Sequence, residues 1–298
     1  MILNESLQRS LQQSLQGSLQ QSLQGCLTNL RNTTPLVHNI TNSVVMNSTA
    51  NALLALGASP LMSDATEEIS PLVELANSLV INIGTVTSRT SMAMKCAASH
   101  ACATGRPWIL DPVGAGATRF RLDTSRLLME YQPTVVRGNA AEIQALFLSD
   151  PRFTEQRDES MTRGVDSLLA ADAILGHAVQ AARRHNTVIG ITGATDIITD
   201  GERVIRIHNG HPMMTRVTGT GCTATALIGA FLGIEQDPLI ATVAGIACLS
   251  VAGELAAKNS RGPGSLQLNI LDELYNLTPE TLINTLKMEE VSWDSQKD

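Results

Sequence analysis

Val217-Thr218-Gly219-Thr220-Gly221-Cys222-Thr223-Ala224-Thr225-Ala226-Leu227-Ile228 sets two glycines among small hydroxyl residues and then runs straight into an apolar, helix-forming stretch. A loop of this kind lets backbone N–H groups converge at the start of a helix, where the helix dipole also favours negative charge. Cys222 falls in the first turn of the expected helix, a position that lowers the pKa of a thiol. The stretch reads as an anion site with a candidate catalytic group built in. The plainer reading is a glycine-rich start to a buried helix.

On both sides of this loop, strand-like and helix-like segments alternate. Strands are expected at residues 35–41, 59–62, 79–84, 108–113, 134–136 and 187–192. Helices are expected at 42–56, from the Ser70-Pro71 cap to 77, at 88–103, from Ala140 onward, at 167–184, and around 238–257 and 270–286. Asp200-Gly201 stands between two β-rich runs and signals a hairpin. Strands separated by helices of this length predict a three-layer αβα fold, a mostly parallel central sheet with helices on both faces. In such folds ligands bind beyond the carboxyl ends of the strands, which draws attention to Asp111, Arg137 and Thr192.

Each of these has a chemical and a plain reading. Asp111, in Asp111-Pro112-Val113-Gly114, suits magnesium, directly or through water, or a simple loop hydrogen bond. Arg137 suits a phosphate as a fixed cation. Asn139 and Glu142 have capping-box spacing, and Glu142 is also placed to orient magnesium and water. Met62 suits the wall of a small-molecule pocket or an ordinary core position.

Composition narrows the classes. The chain has 298 residues, 43% hydrophobic and 16% charged, which is ordinary for a globular protein with a sizeable core. Aromatics make up 3% and the net charge is −7, so neither nucleic acid nor an anionic membrane surface is an expected partner. Cys26, Cys96, Cys102, Cys222 and Cys248 are odd in number and lack zinc spacing, as expected of a reduced, cytoplasmic protein. No signal peptide and no apolar run of membrane length is apparent. Residues 1–30 form a Ser-Leu-Gln tetrapeptide repeat segment, whose leucine stripe drifts by about 40° per repeat on a helix. Residues 31–298 are expected to form a single domain.

Taken in order, several segments resemble the hydroxyethylthiazole kinase family of the ribokinase-like superfamily. They are Pro35-Leu36-Val37-His38-Asn39-Ile40-Thr41-Asn42, Leu53-Leu54-Ala55-Leu56-Gly57-Ala58-Ser59-Pro60, Leu110-Asp111-Pro112-Val113-Gly114, Arg137-Gly138-Asn139, Thr192-Gly193 and Val217 to Cys222. The resemblance spans residues 35–285 and leaves the repeat outside. It implies ATP-dependent phosphorylation of the primary alcohol of 4-methyl-5-(2-hydroxyethyl)thiazole in thiamine salvage, by a homotrimer with active sites at subunit interfaces. It also implies that Met62 and Gly219 touch the thiazole, with Asn39 beside them. Arg137 and Thr192 would touch ATP, and Asp111 and Glu142 would lie near Mg²⁺. Gly219, Gly221 and Cys222 would form the catalytic loop, with Cys222 where sugar kinases carry an aspartate base.

Three other readings stay open at this point. One is a related ribokinase-like enzyme, a pyrimidine or pyridoxal alcohol kinase or a nicotinamide-hydrate dehydratase. The second is a non-catalytic thiazole binder. The last is a dinucleotide-binding oxidoreductase, since Gly219-x-Gly221-x-x-Ala224 fits that template, although too late in the chain and without a following strand.

Overall fold

The computed structural model describes residues 5–148 and 174–291. Short runs, most of them apolar, form a nine-stranded sheet of order β2-β1-β3-β4-β5-β6-β7-β8-β9. Its strands are β1 Leu36–Ile40, β2 Ser59–Met62, β3 Ser78–Asn82, β4 Trp108–Asp111, β5 Val135–Asn139, β6 Val188–Thr192, β7 Asp196–Thr199, β8 Val204–Ile207 and β9 Met288–Val291. Pairing is parallel from β2 through β6 and antiparallel from β6 to β9. All six parallel strands therefore end along one edge of the sheet.

Alternation along the strands divides the interior. Val80, Ile109, Val135 and Val188 feed one apolar core, while Leu79, Ile81, Leu110, Val136 and Ile189 feed the other. The first core is covered by α1 Glu5–Thr33, α2 Met46–Leu56, α8 Thr220–Leu232, α9 Pro238–Lys258, α10 Pro263–Asn276 and α11 Pro279–Thr285. The second lies under α3 Ile69–Leu75, α4 Ser88–Thr104, α5 Arg119–Met129, α6 Ala140–Leu148 and α7 Leu175–His185. This is the three-layer αβα arrangement expected from the alternating segments.

Some expectations are corrected. The helix expected from Asn42 begins at Met46, because Asn42 is drawn into a polar cluster. The helix expected to be capped by Ser70 and to open at Pro71 begins two residues earlier, at Ile69, with Glu68 in the cap position. Residues 167–173 of another expected helix lie outside the described residues, and its remainder is α7. The segment 263–285 is two helices, because Thr278 caps a new one at Pro279. α9 has 21 residues and is long and apolar enough to cross a membrane, contrary to the expectation that no such run exists. It is a core helix, with Val243, Ile246, Ala247 and Val251 buried against its neighbours. α1 runs through residue 30, and its Leu23, Leu27 and Leu30 are fully buried in the first core.

The carboxyl edge of the sheet and the first turn of α8

Asp111 closes β4 directly opposite Asn82, the last residue of β3. Its carboxylate is fully buried. Oδ2 accepts the Asn82 Nδ2–H at 2.7 Å and the Thr225 hydroxyl at 2.8 Å, with Arg137 Nη1 at 3.7 Å. Oδ1 is buried with no hydrogen-bond partner among the described residues. Burial pushes this carboxyl up to about 6, and nearby Glu142 adds to the rise. Arg137 and the two hydrogen bonds pull it the other way.

The hydrogen bonds have a fixed polarity. A carboxylate only accepts, so Asn82 must turn its NH₂ toward Asp111 and its carbonyl away. That carbonyl accepts Asn42 Nδ2–H at 2.8 Å, and the same Asn42 amide nitrogen lies 3.5 Å from Cys222 Sγ. Asn42 Oδ1 is occupied by the Val44 N–H at 3.1 Å. The sulfur of Cys222 therefore always meets a donor.

Cys222 stands in the first turn of α8, as expected, but its pKa is raised rather than lowered. Burial and the negative charge of Asp111 outweigh Asn82, Arg137 and Asn42, which act in the opposite direction. The thiol is neutral at physiological pH.

Arg137, buried near the middle of β5, donates through Nη2 to Thr192 Oγ1 at the end of β6. Its guanidinium lies against the first turn of α8 so closely that a Cβ on Gly221 would stand 2.7 Å from both terminal nitrogens. Gly219 is the N-cap of α8 at φ 82°, and a Cβ there would fall 2.5 Å from Val45 Cγ1. Both glycines are required by space, and Gly219 by backbone conformation as well. Glu142 forms the expected capping box. Its Oε2 accepts the Asn139 N–H and its own N–H donates to Asn139 Oδ1, each at 2.9 Å. Oε1 accepts the Gly114 N–H at 2.9 Å, which ties α6 to the loop after Asp111.

Arg137, Thr192, Asp111, Glu142, Gly221 and Cys222 are thus gathered at one place. Met62 and Asn39 are register partners on the outer strands β2 and β1, at the same sheet edge. Asn39 Oδ1 is buried without a hydrogen-bond partner among the described residues. Between Thr192 and α8 opens a cleft of about 520 Å³, floored by Ile246, Leu249 and Ser250 and walled by Asn209, Gly210 and Met214.

Four polar residues of the site escaped sequence reasoning: Asn42, Asn82, Thr225 and Asp196. Asn82 carried the signal already applied to Asp111, a polar residue ending an apolar strand. Thr225 lies inside the opening stretch but one turn into its helix. Asp196 opens β7 buried, accepting the Gly193 N–H at 3.0 Å and the Ser250 hydroxyl at 3.1 Å. Burial pushes its carboxyl up to about 6 against those hydrogen bonds and the charges of Arg137 and His208.

The family model described as "Hydroxyethylthiazole kinase family" matches residues 27–280. A hydroxyethylthiazole kinase of Granulibacter bethesdensis is 54% identical over 251 residues, 84% of this chain and 88% of that protein. The solved hydroxyethylthiazole kinase of Pyrococcus horikoshii OT3 superposes with a TM-score of 0.82 at 39% identity, covering 91% of this chain and 99% of that one. A ribokinase-like superfamily protein from Enterococcus faecalis V583 shares the fold at a TM-score of 0.60 and 14% identity, covering 84% of this chain and 89% of that one.

Proposed function

The chain belongs to the hydroxyethylthiazole kinase family and so transfers a phosphoryl group from ATP to the primary alcohol of 4-methyl-5-(2-hydroxyethyl)thiazole; from that premise we propose that the transfer occurs where the first turn of α8 meets Asp111 and Arg137. The observation that carries this reading is Asp111. It is a fully buried carboxylate with one oxygen unpartnered among the described residues, beside a buried arginine and a helix start that only glycines allow.

Phosphoryl transfer asks for positioning and charge neutralisation more than for covalent chemistry. In this reading the N–H groups of Thr220, Gly221 and Cys222 receive the transferred phosphoryl oxygens. Arg137 and Thr192 hold the phosphate tail of ATP. Met62, Asn39 and Gly219 line the thiazole site. Asn42 holds the sulfur of Cys222 toward the alcohol. A neutral thiol is a weak base, and the loose transition state needs little deprotonation before transfer, so the contribution of Cys222 is modest.

Among the described residues no group of three or more His, Cys, Asp or Glu forms a metal cage. Mg²⁺ needs no such cage, being usually held by one or two carboxylates together with substrate phosphates and water. The free oxygen of Asp111 fits such a role, and Glu142 lies close enough to act on Asp111 electrostatically. When bound, the ion neutralises charge on the phosphates.

Residues 31–298 are read as one kinase domain, working as a homotrimer. All five cysteines are free, in keeping with a cytoplasmic setting. Light scattering in solution tests the assembly, and a monomeric mass would remove the trimer.

The decisive experiment on the site is Asp111→Asn, followed by ADP release in the presence of the thiazole alcohol. Loss of a charged group aimed at the transition state lowers kcat by on the order of 10²–10³. A kcat within a few-fold of wild type would remove Asp111 from the machinery. Running hydroxymethylpyrimidine and pyridoxal in the same assay reads alcohol selectivity.

A further inference from the structure

Arg121 lies in the first turn of α5, where Thr118 is the N-cap and its hydroxyl accepts the Arg121 N–H at 3.3 Å. The helix dipole disfavours a cation there. The side chain leaves the helix and donates to three carbonyls: Nη1 to Ile83 at 3.0 Å and Val113 at 2.8 Å, and Nη2 to Gly84 at 2.6 Å. Ile83 and Gly84 follow Asn82 out of β3, and Val113 follows Asp111 out of β4 by two residues. One planar fork therefore spans the exits of the two strands whose last residues make the Asn82–Asp111 hydrogen bond. The next residue, Gly114, takes φ 67° and sends its N–H to Glu142. Apart from this fork, the two exits share the Ile83 N–H bond to the Asp111 carbonyl at 3.2 Å.

We infer that Arg121 is a positioning residue for phosphoryl transfer: its guanidinium holds the β3 and β4 exit loops at a fixed separation, and with them the Asn82–Asp111 and Gly114–Glu142 contacts. This rests on the site proposed above. Lysine cannot replace the fork, because an ammonium is a point donor without the planar geometry that reaches three carbonyls together.

The test uses Arg121→Ala and Arg121→Lys in the full chain. Misplacing reacting groups by about 1 Å costs on the order of 10²-fold, and a loss in kcat of that order is expected for Arg121→Ala. The Mg²⁺ requirement should rise while KM for the thiazole alcohol stays put. Low-millimolar guanidinium should restore part of the loss, whereas sodium at equal ionic strength should not. Without any ligand, hydrogen exchange should quicken at residues 83–86 and 113–117 and nowhere else. Wild-type kcat and unchanged exchange in Arg121→Ala would overturn the inference, as would a loss that guanidinium leaves untouched. If Arg121→Ala does not fold, Arg121→Lys decides: lowered kcat at an unmoved melting temperature supports the role, and full activity removes it. A fully active Asp111→Asn enzyme would remove the site itself. An impaired Asp111→Asn beside an unimpaired Arg121→Ala would remove only the role of Arg121.

Discussion

Cys222 shows how little a residue's chemistry follows from its local string. A helix start favours the thiolate, but burial and Asp111 disfavour it more, and neither is visible in Gly221-Cys222-Thr223. Cys222→Ala is expected to lower kcat by about 10²-fold at most, the low end of general-base contributions. Cys222→Asp should exceed wild type in turnover, because a carboxylate accepts the Asn42 N–H already offered and is a better base at neutral pH. Slower turnover with aspartate than with alanine would refute the weak-base account. Gly221→Ala drives a methyl group into the Arg137 guanidinium. Losing one charge-assisted hydrogen bond costs about 1.5–3 kcal/mol, so KM for ATP should rise about tenfold or more, read from initial rates. Asp196 gives a pH-dependent prediction. Its carboxyl titrates near 3.8 when unfolded and near 6 when folded, so its contribution to stability is present at low pH and is lost as pH rises through about 6. Asp196→Asn, which never ionises, should therefore gain melting temperature relative to wild type at pH 7.5. The gain should vanish toward pH 4, and a pH-independent difference would contradict the assignment.

Among the elements, the strands before β9 were legible because most are short apolar runs closed by Pro, Gly or a polar residue, and most bounds fall within two or three positions of expectation. The hairpin at Asp200-Gly201 was legible for the same reason, since Asp200 Oδ1 accepts the N–H groups of Glu202 and Arg203 and closes the turn. α5 was missed because it opens on Arg119 and Arg121, against the usual charge preference of a first turn. β9 was missed because Glu289 and Glu290 interrupt its apolar pattern at the edge of the sheet. The repeat segment is the clearest case of tertiary context deciding. Nothing in the tetrapeptide pattern itself marks core positions, yet Leu23 and Leu27 are fully buried, followed by Leu30 one turn on. Arg31 pins this end of α1 by donating to the carbonyls of Leu56, Leu274 and Tyr275. Deleting residues 2–16 spares Leu23, Leu27 and Leu30 and serves as the control. Deleting 2–30 removes three fully buried leucines worth about 2–5 kcal/mol each, a loss that consumes a stability of about 5–15 kcal/mol. Circular dichroism of the two truncations separates these outcomes, and a stable 31–298 fragment would show that α1 is dispensable.

At the scale of the whole molecule, the order of the sheet explains what composition alone left open. Net charge is −7, so an anionic co-substrate must be held against the overall field by fixed local donors. On the proposed placement, the parallel half of the sheet supplies them by ending six strands along one edge. α8 crosses that edge with its first turn among the polar residues and its body, from Thr223 to Leu232, wholly buried. On the proposed placement, catalytic geometry and core packing share one helix, so heat should abolish ADP release and the helical signal together. Loss of activity well below the melting transition would mean that the site opens independently of the core.

The strand order also separates two kinds of choice. On the proposed placement, the alcohol is selected at β1 and β2, through Asn39 and Met62, while the phosphoryl group is handled at β3 to β6. These are different strands, joined to the sheet by different crossovers. Substitutions on the outer pair can change which alcohol fits without disturbing Asp111, Arg137 or Thr192. New substrate preferences can thus arise on this scaffold with the transfer chemistry left intact.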